Sequence, residues 1–79
     1  MKTAIYHEMG WVAKVQILVE KHDDKCDEYQ LLVIETIQEP GLVIPPSKGE
    51  VFIVWSAKNT AYAGWFLTDI KEENQNDAI

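Results

Sequence analysis

Between Gly49 and Ile70 the chain concentrates both of its phenylalanines, Phe52 and Phe66, and two of its three tryptophans, Trp55 and Trp65. Large rings bring more apolar area per residue than other side chains, so a small core tends to form around them. β-branched and aromatic residues bounded by Gly and Asn divide this stretch into two strands, Val51–Ser56 and Trp65–Ile70. A polar connection with Lys58, Asn59 and Thr60 lies between them. The spacing predicts a hairpin that organises the fold, with the rest of the chain supplying strands to cover it.

Taken from its start, the chain offers further strands. Lys2–His7 alternates well enough for a short first strand, and Gly10 marks a turn after it. Trp11–Glu20 shows the cleanest pattern, because Trp11, Ala13, Val15, Ile17 and Val19 fall on one face and Lys14, Gln16 and Glu20 on the other. Val12 and Leu18 are the exceptions on the polar face. Lys21–Glu28 is polar apart from Cys26 and reads as an exposed hairpin connection.

Tyr29–Gln38 fits two readings. Asp27 as N-cap and Pro40-Gly41 as a stop would suit a helix. The β-branched set Val33, Ile34, Thr36 and Ile37 favours a strand instead. In that strand Leu31, Val33 and Ile37 share a face with Glu35 while Leu32 and Ile34 take the other, which calls for a central strand covered on both sides or a bulge near Glu35. The segment Glu39–Gly49 contains Pro40, Pro45 and Pro46, so it should be extended and unpaired, with Leu42, Val43 or Ile44 tucked over an open end. Lys71–Ile79 reads as a polar tail that frays.

Strands joined by short polar connections, with no helix to carry a parallel crossover, imply an antiparallel meander. Four or five such strands close most easily into a small all-β barrel or half-barrel, SH3-like or OB-like. The barrel would be a single domain over residues 1–70, with Trp11, Val15, Ile17, Val33, Ile53, Trp55 and Leu67 as its core. Phe66 is a further core candidate. At two points, Lys48-Gly49-Glu50 and Gly64-Trp65-Phe66, the chain resembles eukaryotic signalling SH3 domains. Those domains need further strands after the paired aromatics, and here a polar tail follows within a few residues, so no family is assigned.

Composition excludes more functions than it suggests. The chain has 79 residues, a formal charge of −6, seven lysines and no arginine. A chain this short hides only about two-thirds of its unfolded surface, so its stability is modest. Specific nucleic-acid recognition leans on the guanidinium fork, and an acidic surface repels phosphates and anionic headgroups. Direct nucleic-acid or membrane binding is therefore not expected. One cysteine, Cys26, rules out an internal disulfide and fits a reducing cytoplasm, although a Cys26-linked dimer is open. No signal-peptide pattern precedes Gly10, and no apolar run approaches the length that spans a bilayer.

Each chemical candidate has a plainer reading beside it. Glu20, His22, Asp23, Asp24, Asp27 and Glu28 crowd oxygen into nine residues, but the spacing matches no calcium loop and the stretch reads as a solvated hairpin tip. His22 and Cys26 form a nucleophile–base pair with no third group to orient the base. Gly10, Gly41, Gly49 and Gly64 are isolated turn residues and cradle no phosphate. Neither catalysis nor a cofactor is expected.

The rings and loop aliphatics are more informative. Tyr62 and Trp65, with Leu42, Val43 and Ile44, have the make-up of a contact patch for a protein partner or a second copy. The expected function is a small non-enzymatic interaction module, an accessory subunit or adaptor that self-associates through an open strand edge or the Leu42–Ile44 loop. The alternative is an acidic decoy that occupies a nucleic-acid-binding site on an enzyme, as a phage or mobile-element inhibitor would. A decoy needs carboxylates spaced along one face, whereas an adaptor needs an apolar patch.

Overall fold

Alternation in the second strand builds the structure, a computed structural model that describes residues 1–41, 44–58 and 63–73. Among these residues five strands form: β1 (Lys2–Glu8), β2 (Trp11–His22), β3 (Cys26–Gln38), β4 (Val51–Ala57) and β5 (Phe66–Glu72). They make one antiparallel sheet in the order β4-β3-β2-β1-β5, which is not closed into a barrel. The first four strands are a meander, and the chain then crosses to lay β5 beside β1. The expected hairpin is therefore replaced: β4 pairs with β3, β5 pairs with β1, and the two ring-rich strands are opposite edges of the sheet. Trp65 precedes β5 rather than opening it, and the strand runs two residues into the expected tail.

The β1–β2 connection is as tight as a hairpin allows. Glu8 pairs with Trp11, so only Met9 and Gly10 turn the chain. Both have positive φ, 48° and 88°, the conformation of a type I′ turn, whose twist matches the flanking strands. The β2–β3 hairpin extends through the predicted Lys21–Glu28 loop, because His22 pairs with Asp27. Its short tip is held by Asp23, whose carboxylate accepts from the Lys25 and Cys26 amides at 2.8 Å each. Such a side-chain turn explains why so polar a stretch stays in register.

Bulges decide which side chains face inward. Lys14 pairs with Glu35 but Val15 pairs with Val33, leaving Ile34 as an extra residue. This shift keeps Leu31 and Val33 buried and puts Glu35 outside, which resolves the conflict the sequence posed. A second shift leaves Leu18 unpaired in β2. Beyond it the parity inverts, so Val19, expected on the core face, is exposed.

The buried core is Ala4, Tyr6, Trp11, Ala13, Val15, Ile17, Leu31 and Val33, with Tyr29, Phe52, Val54, Trp65 and Leu67 packed against it. Tyr6 is its centre. Its ring meets Trp11 edge-on at 5.4 Å and Phe52 edge-on at 5.1 Å, and stacks on Trp65 at 5.9 Å. Trp11, Val15, Ile17 and Val33 are core residues as expected, and Leu67 is partly buried against them. Ile53 and Trp55 are not: they are 58% and 63% exposed, and Phe66 is also exposed. Five consecutive apolar residues, Val51 to Trp55, give alternation no polar reference, and the inward set is Phe52 and Val54 instead.

Candidate functional site

The sheet's two edges are built differently. On β5, Asp69 has φ 54° at a register shift opposite Ala4, and Asp69, Lys71 and Glu72 lie along the strand. A bulge and charges are the usual guards of an open edge. β4 has neither. Its seven residues, Val-Phe-Ile-Val-Trp-Ser-Ala, include no charge, proline or glycine, and each of the other four strands carries charged residues.

The hydrogen bonds show which way this edge points. Val33 donates to the Glu50 carbonyl at 2.9 Å, and Lys58 donates to the Lys25 carbonyl at 2.8 Å. In the two-residue period of an antiparallel ladder, Phe52, Val54 and Ser56 therefore turn their amides and carbonyls to β3. Those of Val51, Ile53, Trp55 and Ala57 turn outward. Val51, Ile53 and Trp55 also place their exposed side chains on the outer face, 48% exposed in the case of Val51. Among the described residues one side chain engages this outward row, since the Trp65 indole N–H donates to the Trp55 carbonyl at 3.1 Å.

A cleft of about 550 Å³ runs along β4 from Phe52 to Ala57. Its opposite wall is Tyr6, Glu8, Ala63 and Trp65. Trp65 is held there by stacking on Tyr6 and by an edge contact with Tyr29 at 5.8 Å. At one end the Tyr6 hydroxyl donates to Glu8 Oε1 at 2.6 Å. Burial, reinforced by that carboxylate, drives the Tyr6 pKa far up, so the hydroxyl stays protonated and remains a donor.

The other end of the inner face is polar. Lys2 pairs with Glu20, Glu20 Oε2 meets His22 Nε2 at 3.0 Å, His22 Nδ1 meets Asp27 Oδ1 at 2.7 Å, and Lys58 closes the chain on Asp27 at 2.9 Å. Both imidazole nitrogens face carboxylates, which suits the doubly protonated ring. Glu20 and then Asp27 raise the His22 pKa accordingly. Hydrogen bonding from His22 and then Lys2 lowers that of Glu20; Lys58 and then His22 lower that of Asp27. His22 stands between its two carboxylates rather than beside them, and among the described residues no group of three or more His, Cys, Asp or Glu is arranged to hold a metal ion. Cys26 is a free thiol, and the His22 ring beside it in sequence is already engaged at both nitrogens.

Of the contact residues expected from the sequence, Trp65 lines the cleft and Ile44 does not. Ile44 is 98% exposed rather than tucked over an end, and borders a smaller cleft with Met9, Trp11 and Phe52. Leu42, Val43 and Tyr62 lie outside the described residues. Sequence reasoning missed Glu8, Ile53 and Trp55. The uncharged run from Val51 to Ala57 was the available signal for the last two; nothing local marks Glu8. Among the described residues no helix is long and apolar enough to cross a membrane. Compared with protein-family models, curated proteins and solved structures, the chain matches none of them.

Proposed function

We propose that this protein is a small non-enzymatic interaction module, an accessory subunit or adaptor of the cytoplasm, that takes up an extended strand along β4. The observation that carries this reading is the unguarded edge. Outward amides and carbonyls at Val51, Ile53, Trp55 and Ala57, of which the Trp55 carbonyl already accepts from the Trp65 indole, coincide with an apolar row and no charge. Strand addition draws affinity from the main chain and specificity from alternate side chains. The finer architecture we propose is an SH3-like half-barrel, a meander whose last strand returns beside the first, with the cleft where such a barrel would close. The acidic-decoy reading gains less support, because Glu20, Asp27 and Glu73 are spent on Lys2, Lys58 and Lys14 instead of forming a free carboxylate stripe.

Ile53→Lys tests the reading, since a lysine on an exposed edge position blocks pairing without entering the core. Wild-type protein is expected to self-associate in sedimentation at high micromolar concentration or to retain a polypeptide from its native host, and Ile53→Lys to lose that association. Association that survives Ile53→Lys places the interface elsewhere. Absence of both kinds of association removes the proposal.

A further inference from the structure

Resting on that reading, we infer that the cleft is selective for an extended partner segment carrying a lysine or arginine side chain at its Glu8 end. Glu8 is the one charged residue among the described residues that line the cleft. The Tyr6 hydroxyl holds Oε1, and Oε2 has no partner among the described residues. Four of the chain's seven lysines are paired elsewhere, Lys2 to Glu20, Lys14 to Glu73, Lys58 to Asp27, and Lys71 to Asp69 and Glu73, and among the described residues no lysine pairs with Glu8. A carboxylate oriented by a buried donor, beside apolar walls and without a cation, is a receptor for an incoming one. Charge-assisted hydrogen bonds are about twice as strong as neutral ones.

The same chemistry argues against a second copy as the occupant. A partner's β4 would bring no cation, because Val51–Ala57 contains none. A chain at −6 also repels its copy and steers basic segments toward itself. The run of outward groups along β4 fits an added strand of about five to seven residues at roughly 3.3 Å per residue.

The test uses capped heptapeptides of alternating valine and threonine, with one lysine moved through each position, and matched peptides with norleucine or glutamate in its place. Binding is read from tryptophan fluorescence and amide chemical shifts. One lysine register is expected to bind about 10-fold tighter than its norleucine match, with glutamate weakest. Glu8→Gln should bring the lysine peptide down to the norleucine affinity, and Glu35→Gln, on the outer face, should leave the preference intact. Equal binding of lysine and norleucine peptides in every register, or a preference that survives Glu8→Gln, overturns this inference while leaving strand addition standing. If no peptide shifts the β4 amides, strand addition fails and the inference falls with it.

Discussion

Tyr6 is where the structure makes its sharpest energetic claim. The ring is fully buried and touches Trp11, Phe52 and Trp65, while its hydroxyl is tied to an exposed carboxylate. Two substitutions separate these contributions. Tyr6→Leu keeps an apolar side chain at the site but removes three ring contacts, each worth about 0.5–1.5 kcal/mol beyond area burial, and leaves some empty volume. It should cost about 3 kcal/mol, a large fraction of the 5–15 kcal/mol that stabilises a typical small domain. Tyr6→Phe keeps every ring contact and frees Glu8 to water, so it should cost only about 1 kcal/mol, or roughly 4–8 °C in melting temperature. Urea unfolding followed by tryptophan fluorescence measures both, since Trp11 and Trp65 flank the ring. Two results would refute the reasoning. A Tyr6→Leu protein within about 0.5 kcal/mol of wild type would show that Tyr6 is not the centre of the core. Equal costs for the two variants would move the stabilisation from the ring to the hydroxyl.

Ile17→Ala, at a buried position in β2, is expected to cost about 2–4 kcal/mol in the same assay, and an unchanged melt would mean the wrong face of β2 has been assigned. Met9→Asn should stabilise by about 0.5–1 kcal/mol, because asparagine tolerates the positive φ of a type I′ turn far better than methionine; thermal melts check it. The His22 cluster should make stability pH-dependent. A raised histidine pKa contributes in full below the ordinary 6.5 and is lost as pH rises through the folded value, whereas lowered Glu20 and Asp27 pKa values contribute above 4.5 and 3.8 and are lost as pH falls. The stability difference between wild type and His22→Gln should therefore peak between about pH 4.5 and 6.5 and shrink on either side, as melts across that range would show. A difference that is flat with pH would mean the imidazole is not held between its carboxylates.

Alternation is a local signal, and where a polar residue marks the outer face and no bulge intervenes the sequence alone determined the strand and its orientation. The stretch from Trp11 to Ile17 shows this best: its odd positions are buried and the intervening ones are not. The conflict at Glu35 left a strand covered on both sides or a bulge open, and the structure has a bulge beside it, at Ile34. All-β class and the strand over 29–38 followed from the same local chemistry. Where both faces are apolar, as from Val51 to Trp55, period two predicts a strand but not its face, and Ile53 and Trp55 were placed inside when they lie outside. The bulge at Leu18 was equally silent, since Val19 looked like one more member of the inward row. Strand partners are non-local: β5 lies beside β1, not β4, because the sheet satisfies its backbone across the whole chain, and no short window of sequence contains that choice. The cleft depends on it. Only after the chain has crossed to lay β5 beside β1 does Trp65 come to face β4 across the cleft it shares with Tyr6 and Glu8 of β1, so the candidate site belongs to the tertiary structure.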